Sequence, residues 1–256
     1  MYHFFVTKDQ IGPDYITITG GDVNHIRNVL RMKAGEQVSV RDGETKGYVC
    51  EIAEIRGETV TARILCEEED QKELPARLHL FQGLPKSDKM ELIIQKAVEL
   101  GVYQVIPVVT KRTIVKMDKK KEESRIKRWN SIAESAAKQS GRNRIPRVTG
   151  IMSFEEALAF AEQFQVKMIP FEHAEGMEAA KREMERMGPG MDIGIFIGPE
   201  GGFEDEEVSR AEAAGVKAVS LGRRILRTET AGLMVLSVAG YLLETKGMGT
   251  GGEGDA

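Results

Sequence analysis

The feature that most constrains the fold of this chain is a change in residue periodicity near Pro75. Before Pro75, short segments rich in β-branched and aromatic residues predict five strands and one helix, which favours a small β-barrel. After Pro75, candidate strands and helices alternate, which is typical of a mostly parallel sheet covered by helices on both faces. We therefore predict an α/β chain with a barrel domain over residues 1–72 and a larger α/β domain over residues 73–246.

The N-terminal strands are predicted from partial alternation of apolar and polar residues. They are Tyr2–Val6, Tyr15–Thr19, Gln37–Arg41, Lys46–Ile55 and Thr59–Leu65. One helix, Asp22–Met32, interrupts the series and carries an apolar face formed by Val23, Ile26, Val29 and Leu30. The acidic run Glu67–Asp70, which precedes Leu74 and Pro75, predicts the linker between the two domains.

The second part of the chain predicts five strands and six helices. The strands are Arg77–Leu84, Gln104–Val109, Val166–Phe171, Asp192–Ile197 and Val216–Leu221. The helices are Asp88–Leu100, Glu122–Gln139, a segment from the capping box at Ser153 to Phe164, Met177–Met187, Glu204–Ala214 and Thr230–Glu244. The Gly-rich tail over residues 247–256 is expected to be disordered.

Several classes of protein are excluded by the sequence. No apolar stretch reaches the ~18–20 residues that a membrane-spanning helix needs, and the first ten residues show no signal peptide. Cys50 and Cys66 form no CxxC pair, which favours a reducing, cytoplasmic setting. The 4 histidines lack metal-ligand spacing, and no Walker A motif occurs, so we expect neither a metal centre nor a phosphate-binding loop.

Charge is distributed unevenly along the chain. The net charge is −4, yet Lys111–Arg147 contains 13 Lys and Arg against 4 Asp and Glu, a local excess of 13 − 4 = +9. This asymmetry predicts an anionic partner, and phosphate contact is its evident mode because Trp129 is the only aromatic residue in the stretch. A solvated helix face is the other interpretation, and the sequence leaves both open.

Two loop segments have the composition of a binding site. Asp192–Gly202 runs from a strand into Gly198-Pro199-Glu200-Gly201-Gly202, a turn that permits close approach of a ligand but lacks GxGxxG spacing. Leu221–Ala231 carries three arginines and Glu229, with Ile225 and Leu226 between the charges. Such alternation predicts a folded loop with one side lining an apolar pocket and the other facing an anion.

Together, these segments resemble the RsmE family of SPOUT-class methyltransferases, which methylate a uridine at N3 in 16S ribosomal RNA. The resemblance is carried by Phe196–Phe203 and Leu221–Ala231, and extends to Gly21–Glu36, Gly83–Val102, Lys111–Asp118 and Ala136–Val148. It implies a PUA-like N-terminal barrel, a C-terminal α/β domain with a trefoil knot, and a homodimer. It also implies S-adenosylmethionine (SAM) as the cofactor and ribosomal RNA, within the small subunit, as the partner.

The resemblance implies that three segments bind SAM. The residues are Pro170, Ile197, Gly198, Pro199, Glu200, Gly201, Gly202, Leu221, Gly222, Ile225, Leu226, Arg227, Thr230 and Ala231. Methylation at N3 requires loss of a proton, so an arginine is expected to stabilise the developing anion, with Arg227 the first candidate and Arg112 the second. Glu200 and Glu229 are the candidate bases, although Glu229 also fits a first-turn acid stabilised by the helix dipole.

Basic and polar residues in both domains are the candidate RNA contacts. They are Arg27, Arg31, Lys86, Lys89, Arg112, Gln139, Arg142 and Arg144. The pair Arg27 and Arg31 is spaced four residues apart, which predicts a shared helix face.

Three other functions remain compatible with parts of the sequence. One is a methyltransferase of the same class that acts on another RNA or base position. A second is a non-catalytic RNA-binding or ribosome-associated protein. A third is a nucleotide-dependent oxidoreductase, which would need a phosphate-binding turn that the sequence lacks. Cofactor binding distinguishes them: a methyltransferase binds SAM, a non-catalytic RNA-binding protein binds neither cofactor, and an oxidoreductase binds NAD(P).

Overall fold

The computed structural model describes residues 1–68, 72–114, 119–174 and 176–248. The chain divides into two compact units, one of residues 1–73 with 137–145, the other of residues 74–136 with 146 onward. The sequence does not predict that residues 137–145 group with the N-terminal unit. They do so because the Gly141 carbonyl accepts a hydrogen bond from the buried Arg41 and because Arg142 pairs with Glu73.

The first unit contains a five-stranded sheet. Its strands are β1 (Tyr2–Phe5), β2 (Tyr15–Thr19), β3 (Gln37–Arg41), β4 (Gly47–Arg56) and β5 (Thr59–Glu68), and a short 3₁₀ turn covers Lys8–Gln10. The order is β1-β3-β4-β5-β2, with β1 parallel to β3 and the other pairs antiparallel. All five strands contribute apolar side chains to one core, which includes Phe4, Ile18, Val40, Ile52 and Val60. The five predicted strands are confirmed.

The predicted linker is partly wrong. Strand β5 continues through Glu68, so the acidic run begins within the sheet, where Glu68 accepts hydrogen bonds from Arg41 and Ser39. The rest of the predicted linker, up to residue 71, lies outside the described residues.

The predicted helix Asp22–Met32 is shorter and differently wound. An α-helical turn, α1 (Gly21–Asn24), leads into a π-helical segment over His25–Val29, and Arg31 has a positive φ of 54°. The wide turn buries Ile26 and Met32 and leaves Val29 61% exposed. The predicted apolar face is therefore wrong at Val29, and Arg31 does not share a helix face with Arg27.

The second unit is built on a parallel sheet of seven strands. Its strands are β6 (Arg77–Gly83), β7 (Gln104–Val109), β8 (Arg147–Val148), β9 (Met152–Ser153), β10 (Val166–Pro170), β11 (Asp192–Ile197) and β12 (Lys217–Val219). The order is β12-β10-β11-β6-β7-β8, with β9 also paired to β7. Every pair is parallel, so crossovers link the strands, as the predicted α/β alternation requires.

Six helices accompany this sheet in the part of the chain that the structure describes. They are α2 (Lys89–Glu99), α3 (Lys119–Ser140), α4 (Phe154–Phe160), α5 (Glu178–Arg186), α6 (Asp205–Ala213) and α7 (Thr228–Met248). The capping box is confirmed, because the Ser153 hydroxyl accepts from the Glu156 N–H and Glu156 accepts from the Ser153 N–H. Helix α7 begins two residues earlier than predicted and continues to Met248, so the first two residues of the predicted tail are helical. Residues 249–256 lie outside the described residues.

The burial of the two central strands, β6 and β11, explains why the sheet could be predicted from the sequence. Strands β6 and β11 are buried along almost their whole length, and the Phe81 and Phe196 rings stack with centroids 4.2 Å apart. Strands covered on both faces are continuous apolar runs. Because the sheet is parallel, the ends of β6, β10, β11 and β12 meet at one edge, where α/β proteins bind ligands. In the described residues no helix has the length and apolar character to cross a membrane.

Candidate functional site

A cavity of about 540 Å³ lies at the carboxyl ends of the parallel strands of the second unit. Three segments line it: residues 170–172 at the end of β10, residues 197–203 at the end of β11, and residues 220–228 after β12. Lys89 and Ala231, at the starts of two helices, complete the lining. The volume falls within the roughly 300–1,000 Å³ typical of small-molecule sites.

The cavity brings together nearly all of the residues expected to bind the cofactor. Of that set only Thr230 does not line the cavity; it is exposed in the first turn of α7. Lining residues absent from the predicted set are Lys89, Phe171, Glu172, Phe203, Ser220, Arg223, Arg224 and Thr228. Thr228 lies within the predicted segment Leu221–Ala231, although it was not singled out as a cofactor contact.

Glycines allow the first loop, residues 197–203, to close tightly on itself and on β6. A Cβ added to Gly198 would lie 2.9 Å from the Gly202 carbonyl carbon, and a Cβ added to Gly83 would lie 2.6 Å from the Pro199 ring. Gly202 adopts a positive φ of 68°, which favours glycine. The shape of the loop therefore depends on glycine at residues 83, 198 and 202.

Two side chains hold carbonyl groups of this loop in place. The Thr228 hydroxyl donates to the Gly198 carbonyl at 2.6 Å, and Arg112 Nη1 donates to the Gly201 carbonyl at 2.6 Å. Arg112 therefore contacts the loop, as its candidate role near the site requires, but its guanidinium is engaged by backbone. Held this way, the loop is preorganised before a ligand arrives.

Glu200 is an anchored carboxylate. It accepts hydrogen bonds from the Lys86 N–H at 3.1 and 3.2 Å and lies 3.1 Å from Lys89 Nζ. Burial raises the pKa of Glu200, but hydrogen bonds from its own N–H, from Lys89 and from Lys86 outweigh burial and hold the pKa below the ordinary value. An acid stabilised in its ionised form is a weak proton acceptor, so this geometry disfavours Glu200 as the base.

Glu229 differs from Glu200 in its surroundings. Its Oε2 atom is buried and has no hydrogen-bond partner among the described residues, although Lys89 Nζ lies 3.5 Å away. Lys89 thus sits between two carboxylates, and hydrogen bonding to Glu200 is the main reason that its pKa is raised. The Lys89 ammonium is occupied by these acids rather than open to a phosphate.

Three arginines of the second loop are free of acidic partners. Arg223, Arg224 and Arg227 are exposed and line the cavity, and none lies within 4.0 Å of a carboxylate in the described part of the chain. Ile225, between them, is 86% exposed, while Leu226 is half-buried. The loop therefore presents positive charge at the rim, and only Leu226 of the apolar pair is substantially enclosed.

The assignment of Arg142 as an RNA contact is wrong. Its side chain is 4% exposed and is paired with Glu73, which also accepts hydrogen bonds from the N–H groups of Asn143 and Arg144 at 3.1 and 3.2 Å. Lys138 is likewise paired with Asp22 at 2.9 Å. Part of the basic segment is thus neutralised within the N-terminal unit.

The other candidate RNA contacts are more accessible. Arg27, Arg31, Lys86 and Gln139 are exposed, and Arg144 is half-buried. Arg27 donates to the Gly57 carbonyl at 2.5 Å, so its guanidinium is partly engaged. Residues 115–118 of the basic region lie outside the described residues.

Comparison with known proteins agrees with this architecture. Residues 72–240 match the model of an RNA methyltransferase domain, and residues 18–65 match that of an RNA methyltransferase PUA domain. The chain is 36% identical to ribosomal RNA small subunit methyltransferase E of Bacillus subtilis over 95% of this chain and 96% of that protein. It is 33% identical to the protein of the same name from Mesomycoplasma hyopneumoniae over 93% of this chain and 98% of the other.

A solved structure gives the same result. The crystal structure of ribosomal RNA small subunit methyltransferase E from Neisseria gonorrhoeae, bound to S-adenosyl methionine, matches with a TM-score of 0.82 and 32% identity. The match covers 94% of this chain and 98% of that one. The chain therefore belongs to the ribosomal RNA small subunit methyltransferase E family, with a PUA-like N-terminal domain followed by a SPOUT-class α/β methyltransferase domain.

Proposed function

We propose that this protein transfers a methyl group from SAM to N3 of a uridine in the 16S ribosomal RNA of the small ribosomal subunit. The observation that carries the proposal is the cavity at the sheet edge in a chain that belongs to this family. It is enclosed by residues 197–203, called the glycine loop below, and by residues 220–228, called the arginine loop. The relative from Neisseria gonorrhoeae binds S-adenosyl methionine with the same fold.

The residues of the cavity suit SAM. Ile197, Leu221 and Leu226 supply apolar wall for an adenine ring, and exposed backbone of the loops supplies the donors and acceptors that its edges need. Gly198 and Gly202 allow close approach to the backbone. When bound, SAM supplies an activated methyl group on a sulfonium and needs no phosphate cradle, in keeping with the absence of a Walker or GxGxxG pattern.

Arg227 is the proposed stabiliser of negative charge. Loss of the N3 proton spreads charge onto the two flanking carbonyl oxygens of uracil. The Arg227 guanidinium, which has no acidic partner among the described residues, is suited to those oxygens. Arg112 is engaged with the Gly201 carbonyl, which fits a role in positioning the loop.

Glu229 is the proposed general base. Its Oε2 accepts no hydrogen bond from the described residues, whereas both oxygens of Glu200 accept hydrogen bonds. A base needs a free acceptor within reach of the departing proton. Lys89 Nζ lies 3.5 Å from this oxygen, and Glu229 lies in the first turn of α7, where the helix dipole favours an acidic side chain.

RNA contacts are proposed at the rim and on both units. Arg223 and Arg224 line the cavity with no acidic partner in the described part of the chain, which suits them to phosphates next to the target nucleotide. Lys86, Gln139, Arg144, Arg27 and Arg31 are proposed as further contacts. The target base must leave its stack to enter the cavity, so contacts on both sides of it are expected.

The homodimer and the trefoil knot are also proposals. Helices α2 and α7 pack together, and each carries an exposed apolar side chain, Leu92 at 46% and Tyr241 at 67%. Contact with a second copy through these helices would cover both side chains. Light scattering tests this: we expect a dimer that Tyr241→Glu shifts toward monomer, whereas a monomeric wild type contradicts it.

Calorimetry followed by single-turnover kinetics tests the function. We expect SAM to bind and NAD(P) not to bind. Arg227→Gln should lower kcat about 10²–10³-fold, while Arg182→Gln, an exposed arginine on α5, should leave kcat unchanged. Binding of neither cofactor would favour a non-catalytic RNA-binding protein, and binding of NAD(P) would favour an oxidoreductase. Either result would contradict the proposal.

A further inference from the structure

A buried chain of hydrogen bonds joins the two cavity loops to the central strand β6. Gln82, which is completely buried, donates from Nε2 to the Thr228 hydroxyl at 2.8 Å and to the Gly83 carbonyl at 3.0 Å. The Thr228 hydroxyl donates in turn to the Gly198 carbonyl at 2.6 Å. The chain thus begins in β6, passes through the arginine loop at the start of α7 and ends in the glycine loop.

The direction of this chain is fixed by chemistry. The amide nitrogen of Gln82 can only donate, and the Thr228 hydroxyl has a single proton, so that proton goes to the Gly198 carbonyl. The reverse orientation of the amide would place Gln82 Oε1 against the Gly83 carbonyl, two acceptors in contact. The observed orientation leaves Oε1 buried without a hydrogen-bond partner among the described residues.

A buried amide oxygen without a hydrogen-bond partner is unfavourable. The orientation that leaves Oε1 without a partner is the one in which Nε2 donates to both the Gly83 carbonyl and the Thr228 hydroxyl. These hydrogen bonds orient the Gly198 carbonyl, which lies where β11 leads into the glycine loop. Pro199 has no N–H to donate, and Gly83 packs directly against the Pro199 ring. The Thr228 hydroxyl is therefore the group that orients the peptide between Gly198 and Pro199.

We propose that Gln82 and Thr228 are positioning residues for the cofactor: through the Gly198 carbonyl they lock the glycine loop to the arginine loop in the geometry that binds SAM. This inference rests on the proposed function. A ligand in the cavity touches both loops, so loops that move independently must be ordered at the moment of binding, which weakens affinity. The hydrogen bonds made by Gln82 and Thr228 order the two loops before SAM binds, and these two side chains do not contact the reacting atoms.

Three isosteric or near-isosteric variants test the lock. Thr228→Val removes the hydroxyl and keeps the shape, and Thr228→Ser keeps the hydroxyl. Gln82→Glu replaces the donor with an acceptor, so that Thr228 donates to the carboxylate and no longer to Gly198, and it also removes the hydrogen bond to the Gly83 carbonyl. We expect Thr228→Val and Gln82→Glu each to raise the Kd and the KM for SAM about tenfold, the loss expected for one hydrogen bond. The kcat at saturating SAM should stay within about twofold of wild type, because the reacting groups are untouched.

The Thr228→Ser variant and a double variant distinguish a positioning role of Gln82 and Thr228 from a merely structural role. Thr228→Ser should restore the Kd for SAM to within about twofold of wild type. The double variant Thr228→Val with Gln82→Glu should lose less affinity than the product of the two single losses, because both substitutions break the same chain of hydrogen bonds. If Thr228→Val does not fold, Gln82→Glu carries the same comparison. Near-ultraviolet circular dichroism checks that each variant is folded.

The outcomes are distinct from those of the proposed function. A wild-type protein that does not bind SAM contradicts the function itself. A wild type that binds SAM, with a folded Thr228→Val or Gln82→Glu of unchanged Kd, overturns the lock. So does a Thr228→Ser variant that is as weak as Thr228→Val, or a loss confined to kcat.

Discussion

Replacing Gly83 by alanine tests whether the end of β6 sets the shape of the glycine loop. An alanine Cβ at residue 83 would lie 2.6 Å from both the nitrogen and Cδ of Pro199 and 3.0 Å from the carbonyl carbon of Gly198. Non-bonded carbon atoms pack at about 3.5–4.0 Å, so the loop would have to move by about 1 Å. The neighbours are backbone and a proline ring, which cannot rotate away.

Two losses follow from that displacement. Forcing an extra methyl group into a packed site destabilises a protein by about 1–3 kcal/mol. A binding site tolerates displacements of about 0.5 Å, so we also expect the affinity for SAM to fall at least about tenfold, or about 1.4 kcal/mol.

Urea unfolding and calorimetry with SAM measure the two losses. Gly150→Ala is the matched control, because its added Cβ has no heavy atom within 4 Å and its φ is not positive. The control should change stability by no more than about 0.5 kcal/mol and should leave SAM affinity intact. A Gly83→Ala protein with wild-type stability and wild-type affinity would refute the account of the loop.

Three further predictions concern charged residues. Arg223→Gln and Arg224→Gln should each lower the salt slope of RNA binding by about 1 and leave the Kd for SAM unchanged, in filter-binding titrations across salt; an unchanged slope removes both from the interface. Burial raises the pKa of Glu200, but hydrogen bonds outweigh burial and hold this pKa below the ordinary value of 4.5. The stabilisation that ionised Glu200 gives the folded state is therefore complete above pH 4.5, and it is lost as the pH falls through the lower pKa of the folded state. The difference in urea midpoint between wild type and Glu200→Gln should therefore shrink below pH 4.5, and a constant difference contradicts this. Arg142→Ala should destabilise the protein by about 1–3 kcal/mol, because Glu73 loses its partner; unchanged stability with weakened RNA binding would restore Arg142 to the RNA surface.

The sheet of the second unit was predictable because its strands carry the signal in their own residues. Strands β7 and β11 have the predicted bounds, since each is a buried apolar run ended by a change of composition. Strands β8 and β9 were missed because two residues are too few to show a period. The π-helical turn after α1 was missed for another reason: its winding is set by the burial of Ile26 and Met32, which depends on tertiary packing.

The same distinction applies to the site. The glycine and arginine loops were predictable because each concentrates unusual residues in one short segment. The role of Arg142 was not, because Glu73 lies 69 residues away and the charge run alone reads as a phosphate-binding surface. Gln82 and Thr228 are 146 residues apart, so only the fold brings them together.

Methyl transfer from labelled SAM to small ribosomal subunits, purified from cells that lack this protein, tests the central claim most directly. The account predicts 3-methyluridine in the 16S RNA after nucleoside analysis, and labelling that is slower by about 10²–10³-fold when Arg227→Gln replaces the wild type. A protein that binds SAM but forms a different methylated nucleoside, or labels a different RNA, would contradict the assigned substrate. A protein that binds no SAM would contradict the site.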